Sequence, residues 1–182
     1  MSRIGSNPVL IPRGVELKVD GPRVSVKGPK GELKHELPGG ISISSDGKQV
    51  VLNRVNDEDR SKALHGLNRT LVSNMITGVS QGFSRTLELV GTGYRVQTQG
   101  KNVLLYVGFT HQIVVEPLKT NALAADGQTR LVVSGPDKEA VGRQAAEIRK
   151  VRPPNAYTGK GIRFAGEQVK LKPGKSAAKG AA

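Results

Sequence analysis

Short runs of alternating apolar and polar residues fill the first third of the chain. In the clearest run, Val24 and Val26 flank Ser25, so both valines share one face of an extended segment. Turn-forming residues such as Asp20-Gly21-Pro22 and Asp46-Gly47 separate the runs. The pattern predicts half-buried antiparallel strands over residues 15–19, 23–27, 32–36, 41–45 and 49–54.

A helix is predicted after the last of these strands. Asn56 is suited to cap its first turn, and the acids at 57–59 complement the positive end of the helix dipole. Apolar residues then recur at spacings of three and four, which gives the helix one apolar stripe. That stripe comprises Leu64, Leu67, Leu71 and Met75. Gly78 or Gly82 ends the pattern.

The same order of signals occurs a second time. Strands are predicted over residues 85–90, 94–97, 103–107, 112–116 and 130–134. Pro136-Asp137 opens a shorter helix with Val141, Ala145 and Ile148 on its apolar face. An internal duplication is the simplest explanation. We therefore predict an α+β fold of two similar small domains, each an antiparallel sheet packed against a helix.

Composition agrees with two small cores and a basic end. Hydrophobic residues make up 36% of the chain, which suits two thin cores better than one large core. We place the N-terminal domain at residues 1–82, the C-terminal domain at 83–165 and a basic flexible tail at 166–182. From Lys175 onward the residues are small and basic, so we predict disorder there in the isolated protein.

Several classes of site are disfavoured by what the chain lacks. Aromatic residues make up 3% and Trp is absent, which argues against an aromatic platform for stacking bases. Cysteine is absent, which excludes disulfides and thiolate metal sites. The first residues lack the apolar core of a signal peptide, and no run is long enough to span a membrane. We expect a soluble cytoplasmic protein.

Positive charge is concentrated at the end of the chain. The net charge is +13, and residues 149–182 hold nine basic residues and one acid, a local charge of +8 (9 − 1). Charges this close repel one another and need an anion opposite them. A nucleic-acid backbone is the commonest such partner, and an anionic membrane surface is the alternative.

The setting of these cations suggests defined contacts. Three cations crowd the predicted helix end, where Pro153-Pro154 stops the helix. Beyond it, Gly159 and Gly161 flank Lys160, so phosphate could approach the main-chain N–H groups while Lys160 acts as a point charge. The motif lacks the spacing of a nucleotide-binding P-loop. The candidate residues of this segment are Arg149, Lys150, Arg152, Tyr157, Gly159, Lys160, Gly161, Arg163, Lys170 and Lys172.

Two further features leave alternatives open. Lys27 and Lys30 flank a Gly-Pro turn, which is either a solvated hairpin tip or an RNA contact. Residues 108–111 form a predicted loop with Phe109 at its tip, for core packing or for recognition.

Catalysis finds no support in the sequence. The three histidines, His35, His65 and His111, lie in different predicted elements without ligand spacing, and no nucleophile motif is present. We expect neither an enzyme nor a metal or cofactor site.

A family resemblance covers nearly the whole chain. Residues 152–163 read RPPNAYTGKGIR, which resembles the C-terminal signature of bacterial large-subunit ribosomal protein L6 (uL6). The other matching segments, in the family's order, are residues 2–5, 11–15, 26–31, 65–66, 74–75, 89–95 and 108–111. The family usually has Glu-Pro-Tyr-Lys where this chain has Asn155-Ala156-Tyr157-Thr158, and commonly Lys where it has Ser6. The chain therefore lacks one lysine that the family often uses against RNA.

The resemblance implies a function. Members of this family have two similar α+β domains, bind 23S ribosomal RNA and stabilise its fold in the large subunit. They lie near the stalk base and the sarcin–ricin loop, where elongation factors dock, so neighbouring large-subunit proteins are implied partners. The signature residues carried over as RNA contacts are Tyr157, Gly159, Lys160, Gly161 and Arg163. Neither a membrane partner nor a homo-oligomer is expected.

Two other hypotheses are kept beside this one. A DNA-compacting module would fit the charge, although no helix-turn-helix or zinc-finger pattern is present. An enzyme or a factor-recruiting scaffold would require activity or factor binding by the isolated protein.

Overall fold

A computed structural model describes residues 4–175, which divide into two compact units. The first unit comprises the described residues up to Phe83 together with Pro136–Lys138. The second comprises Ser84–Gly135 and the described residues from Glu139 onward.

The first unit contains six strands and one long helix. They are β1 (Val9–Leu10), β2 (Glu16–Asp20), β3 (Arg23–Gly28), β4 (Gly31–Glu36), β5 (Ile41–Ser45), β6 (Gln49–Arg54) and α1 (Asp59–Ser80). The strands form two three-stranded sheets, ordered β2-β3-β4 and β1-β6-β5, and all neighbouring strands are antiparallel. All five strands predicted in this part are confirmed. The two-residue β1 was missed because it is too short to show alternation.

Helix α1 contacts strands of both sheets, and residues of the helix and of the strands together form the core. Val24 and Val26, the pair predicted to share a face, are both fully buried. They lie in one cluster with Val50 from β6 and with Val72 and Val79 from α1. The alternating pattern therefore identified the inner face of β3 correctly.

The apolar stripe predicted for α1 coincides only in part with the buried face of the helix. Leu67 is 54% exposed, and the buried positions are turned by about one residue from the leucine stripe. They are His65, Asn68, Val72, Met75, Ile76, Gly78 and Val79, so of the predicted stripe only Met75 is buried. Two polar residues thus occupy core positions where an apolar pattern would place leucines.

Hydrogen bonds explain why these polar side chains are buried, since buried polar groups need partners. The His65 Nε2–H donates to the Leu52 carbonyl at 2.9 Å. The Asn68 side-chain amide donates to Leu64 O at 2.8 Å, and its Oδ1 accepts from His35 Nε2 at 2.9 Å. Hydrophobic periodicity could not detect these partners, because Leu52 and His35 lie outside the helix, on strands β6 and β4.

The ends of α1 also differ in part from the prediction. Glu58 occupies the N-cap position without a side-chain capping bond, so the prediction that Asn56 caps the helix is wrong. The Asn56 Oδ1 accepts instead from Ser61 Oγ at 2.5 Å. At the other end Gly82 has a φ of +77°, and its N–H donates to Thr77 O at 3.2 Å. Gly82, one of the two predicted stops, ends the helix.

The second unit contains seven strands and the second helix, except for their first residues Phe83 and Lys138, which belong to the first unit. They are β7 (Phe83–Val90), β8 (Arg95–Gln99), β9 (Asn102–Tyr106), β10 (Ile113–Val115), β11 (Ala122–Asp126), β12 (Arg130–Gly135), α2 (Lys138–Val151) and β13 (Gly161–Phe164). One sheet has the order β10-β9-β8 and the other the order β11-β12-β7-β13. The five predicted strands are confirmed, whereas β11 and β13 were missed. The α+β fold of two sheet-and-helix halves is therefore confirmed.

Helix α2 buries the predicted face. Val141, Ala145 and Ile148 are at most 2% exposed, and Gln144 lies among them at 1%. The Gln144 side chain donates to Glu116 O at 2.7 Å and accepts from Asn121 Nδ2 at 2.9 Å. These bonds fix α2 against the segment that follows β10, and so they fix the direction in which its basic end points.

Candidate nucleic-acid interface

The glycine-flanked lysine of the signature lies at the start of a strand. β13 pairs with β7 in antiparallel register, with Ile162 opposite Leu89 and Phe164 opposite Leu87. Ile162 is fully buried. The second half of the signature is therefore part of the core of the second unit.

Gly161 is placed where a side chain has no room. Its φ is +149°, and a β-carbon there would lie 2.6 Å from both Pro153 O and Pro154 Cα. The backbone of the proline stop thus crosses the first residue of β13, and Ile162 N donates to Arg152 O at 2.7 Å beside it. Close backbone packing requires glycine at this position.

Arg149 of the last turn of α2 is tied to the segment after β13. Its Nε and Nη2 atoms donate to the two carboxylate oxygens of Glu167 at 3.1 and 2.5 Å. Phe164 N also donates to Glu167, at 3.0 Å. The Arg149 hydrogen bond, and after it the Phe164 N–H, lower the pKa of Glu167 below its ordinary value of 4.5. This bidentate pair fastens the chain end to α2.

Arg163 on β13 faces an acid of the neighbouring strand. Its guanidinium lies 3.3 Å from Glu88, the residue directly opposite it on β7. Arg130 approaches the same carboxylate at 3.7 Å. Arg163 is about one-third exposed, so it is both a strand-pairing residue and reachable from solvent.

The loop between the prolines and β13 is closed by its own hydrogen bonds. The Asn155 Oδ1 accepts from the N–H groups of Tyr157 and Thr158 at 2.8 and 3.2 Å. Gly159 N donates to Asn155 O, and Asn155 N to Lys160 O, both at 2.9 Å. Asn155, a departure from the usual signature, is therefore the residue that shapes this turn. Since these N–H groups have partners inside the loop, a ligand would meet exposed side chains here, and those of Tyr157 and Lys160 are among them.

The segment after β13 returns to this loop. Lys172 N donates to Ala156 O at 2.8 Å, and a β-carbon at Gly159 would lie 3.5 Å from Leu171 Cδ2. Residues 165–175 contain no helix or strand, yet Glu167 and Lys172 hold them at two points. Residues 176–182, the end of the predicted tail, lie outside the described residues.

Six basic side chains of this region are exposed and have no carboxylate within ion-pair distance among residues 4–175. We call them the C-terminal basic surface: Lys150, Arg152, Lys160, Lys170, Lys172 and Lys175. Lys160 Nζ lies 3.5 Å from Thr92 Oγ1, and the Arg152 guanidinium lies over the Phe109 ring at 5.0 Å. The structure thus separates the predicted cations into two paired arginines, Arg149 and Arg163, and an unpaired group, to which it adds Lys175.

The two candidates in the first unit differ in their surroundings. Lys27 is exposed on β3, and no carboxylate of the described chain forms an ion pair with it. The Lys30 ammonium donates to the Gln81 carbonyl at the C-terminal end of α1, where a cation is favoured by the helix dipole. Lys30 therefore has a structural partner.

Phe109 settles one alternative that the sequence left open. It is 40% exposed at the tip of the β9–β10 loop, so it is not a core residue. The described residues contain no group of three or more histidine, aspartate or glutamate side chains arranged to hold a metal ion. Within residues 4–175 no helix is both long and apolar enough to cross a membrane.

Together, the fold and the site define a basic α+β protein in two units, with unpaired cations gathered at the end of the second. A family model for ribosomal protein L6 matches residues 11–82 and 90–165. The large ribosomal subunit protein uL6 of Trichormus variabilis is 52% identical over 176 residues, 97% of each chain. That of Carboxydothermus hydrogenoformans is 47% identical over 180 residues, 99% of each chain. The chain belongs to the ribosomal protein L6 family, a family of ribosomal proteins and not a class of enzymes.

Proposed function

We propose that this chain is a structural component of the large ribosomal subunit that binds 23S rRNA through its C-terminal basic surface. Its direct contacts are the six cations of that surface and the exposed ring of Tyr157. Arg149, Gly159, Gly161 and Arg163 shape the segment that carries them, and Arg163 is accessible enough to contact RNA as well. Lys27 and Lys30 supply a second, smaller contact from the first unit.

The proposal rests on one observation: the cations of this region divide into those paired with an acid and those that have no acidic partner. Arg149 and Arg163 are paired with Glu167 and Glu88, whereas the six cations of the basic surface have no such partner in the described chain. Unpaired exposed cations on a fixed scaffold repel one another unless an anion lies opposite them. RNA offers a row of phosphates at a spacing that several lysines can meet together.

The scaffold suits recognition of RNA shape. The cations belong to the end of α2, a turn closed by Asn155 and a segment held at Glu167 and Lys172. Their positions are thus set by the fold, and a fixed array of charges fits one arrangement of phosphates better than others. RNA helices are recognised largely through backbone and shape, because their major groove is too narrow for side-chain readout.

The wider proposal follows the family resemblance. We place residues 1–82 and 83–165 as two domains with a basic tail at 166–182, in a ribosome of the cytoplasm. The site is near the stalk base and the region where elongation factors dock, beside other large-subunit proteins.

The test is the salt dependence of binding to a 23S rRNA transcript. The triple variant Lys150→Ala, Lys160→Ala, Lys172→Ala should bind more weakly, and the plot of log affinity against log salt should flatten by about two units, since each lost phosphate contact removes roughly 0.7–0.9. Removing the whole segment from Arg149 is unsuitable, because it deletes β13 and the buried Ile162.

A matched control comes from the first unit. Lys18, Lys34 and Lys48 are also exposed lysines, and their alanine triple removes the same charge. It should keep most of the affinity and the slope. Equal losses from the two triples would show that net charge alone drives binding and would refute the proposed surface. Equal affinity of the wild-type chain for duplex DNA at the same salt would favour a general polyanion binder.

A further inference from the structure

The loop between β9 and β10 carries two stacked rings, and an arginine that follows α2 lies over one of them. The His111 ring lies 5.9 Å from the Phe109 ring, and the two planes are inclined by only 18°. The Arg152 guanidinium lies 5.0 Å from the centroid of the same phenylalanine. We call Phe109, His111 and Arg152 the aromatic stack. His111 is exposed, and Phe109 is 40% exposed.

The loop is held in shape without this stack. β9 and β10 pair in antiparallel register up to Leu105 and Ile113. Across the loop the Tyr106 hydroxyl donates to Gln112 Oε1 at 2.9 Å. Gly108 has a φ of +78°, which lets the chain turn immediately before Phe109. The aromatic stack is therefore presented by a braced hairpin and is not needed to close it.

Tyr94 joins the aromatic stack to the C-terminal basic surface. A β-carbon at Gly91 would lie 2.9 Å from the Tyr94 ring, and one at Gly108 would lie 3.2 Å from it. The turn at 91–94 and the β9–β10 loop thus meet on this ring. Lys160 approaches the same turn through Thr92, at 3.5 Å. The aromatic stack and Lys160 consequently flank one turn of the second unit.

The two chain segments that contain the aromatic stack, Tyr94 and Lys160 have no acidic residue. Residues 89–115 and residues 148–166 include neither Asp nor Glu. They include Arg95, Lys101 and the cations Arg149–Arg163. These two ranges therefore contribute cations and no carboxylate, although Arg149 and Arg163 among them are paired with Glu167 and Glu88 just outside the ranges.

We propose that the aromatic stack receives an unpaired base of ribosomal RNA, with Arg152 and Lys160 on the adjoining phosphates. An exposed ring and imidazole lying nearly parallel can extend by one more planar group, and a flanking cation favours a planar group attached to phosphates. The proposal rests on the rRNA binding proposed above and adds a contact that reads a base instead of backbone. The scarcity of aromatic residues does not oppose it, since this stack uses one phenylalanine, one histidine and one arginine.

The experiment compares Phe109→Leu with Thr110→Ala in the same exposed loop, both in the full chain. Leucine keeps an apolar side chain but removes the ring, so binding to a 23S rRNA transcript should weaken by at least about fivefold, as for loss of a stacked base. Its salt slope should stay that of the wild type, because no phosphate contact is lost. Thr110→Ala should bind as the wild type does.

Chemical probing of the RNA supplies the second measurement. Wild-type protein should change dimethyl sulfate or 2′-hydroxyl reactivity at an unpaired nucleotide, Phe109→Leu should lose that change, and the first-unit control Lys48→Ala should keep it. Phe109→Tyr retains a ring and should restore the change in RNA reactivity. This third variant distinguishes loss of the ring from a folding defect in the leucine variant. An unaltered footprint with Phe109→Leu, or affinity within about twofold of wild type, would overturn the stack. Absence of salt-dependent 23S binding by the wild type would instead refute the proposed function.

Discussion

Gly161 offers the sharpest test of how the C-terminal segment is built. The substitution Gly161→Ala places a β-carbon 2.6 Å from Pro153 O and Pro154 Cα. Both are backbone atoms next to a proline ring, so neither can rotate away. The residue also has a φ of +149°, a region that L side chains rarely adopt.

The expected cost follows from these two effects. A strained backbone angle of this kind costs about 1–3 kcal/mol, and overpacking against atoms that cannot yield adds about 1–3 kcal/mol. The sum, about 2–6 kcal/mol, is a large part of the roughly 5–15 kcal/mol that stabilises a typical domain. We therefore expect Gly161→Ala to unfold β13 or much of the second unit.

The assay is urea unfolding of the protein without RNA, combined with amide hydrogen exchange of β7 and β13. Two glycines of the same unit serve as comparisons. Gly159 has a φ of +71° but only Leu171 nearby, at 3.5 Å, so Gly159→Ala should cost about 1–2 kcal/mol. Gly142 lies in α2 with nothing within 4 Å, so Gly142→Ala should stabilise by about 0.5–1 kcal/mol.

The order of the three glycine variants in free energy of unfolding decides which role Gly161 has. If Gly161→Ala unfolds at the same urea concentration as the wild type but loses RNA affinity, close backbone packing is not its role, and the glycine serves the ligand directly. A loss no larger than that of Gly159→Ala would likewise refute the steric argument.

Two further predictions concern single contacts in each unit. Glu167→Gln should lower the free energy of unfolding at neutral pH. The folded state lowers the pKa of the Glu167 carboxyl, so its contribution to stability is present above about pH 4.5 and is lost as the pH falls through the folded pKa. The difference in stability from the wild type should therefore shrink in acid. Guanidinium unfolding across a pH series measures it, and a constant difference would contradict the pair with Arg149. In the first unit Asn68→Ala should cost about 1–3 kcal/mol by leaving the partly buried His35 side chain without its partner, whereas Leu67→Ser should change stability by less than about 0.5 kcal/mol. Thermal unfolding of both variants distinguishes this from the leucine-stripe arrangement, in which their order would be reversed.

Strands and helices were predictable where the chain itself holds the signal. Alternation located ten strands, and Val141, Ala145 and Ile148 identified the inner face of α2. The α1 face was not predicted correctly because His65 and Asn68 are buried through hydrogen bonds to residues outside the helix, on β6 and β4, which no periodicity records. Local pattern therefore works until a polar residue finds its partner elsewhere in the fold.

Strand β13 was missed for a related reason. Its four residues, Gly161–Phe164, begin with a glycine and follow a lysine, so the segment was interpreted as a phosphate-binding loop. What makes it a strand is its partner β7, with Arg163 opposite Glu88 some 75 residues earlier. The motif was recognisable from the sequence, but its geometry was not.

Partners from elsewhere in the chain also determine which residues of the candidate site are structural and which are unpaired. From sequence the nine cations after residue 148 could be grouped by their setting, but not divided into those that pair with an acid and those that do not. The fold distinguishes them: Glu88 and Glu167 hold Arg163 and Arg149 in place, and the cations left unpaired are those at the helix end, in the turn and along the returning segment. The two acids therefore do more than reduce the net charge. By fixing two arginines as structural parts, they keep the remaining cations at set positions, which a flexible tail of equal charge would not provide.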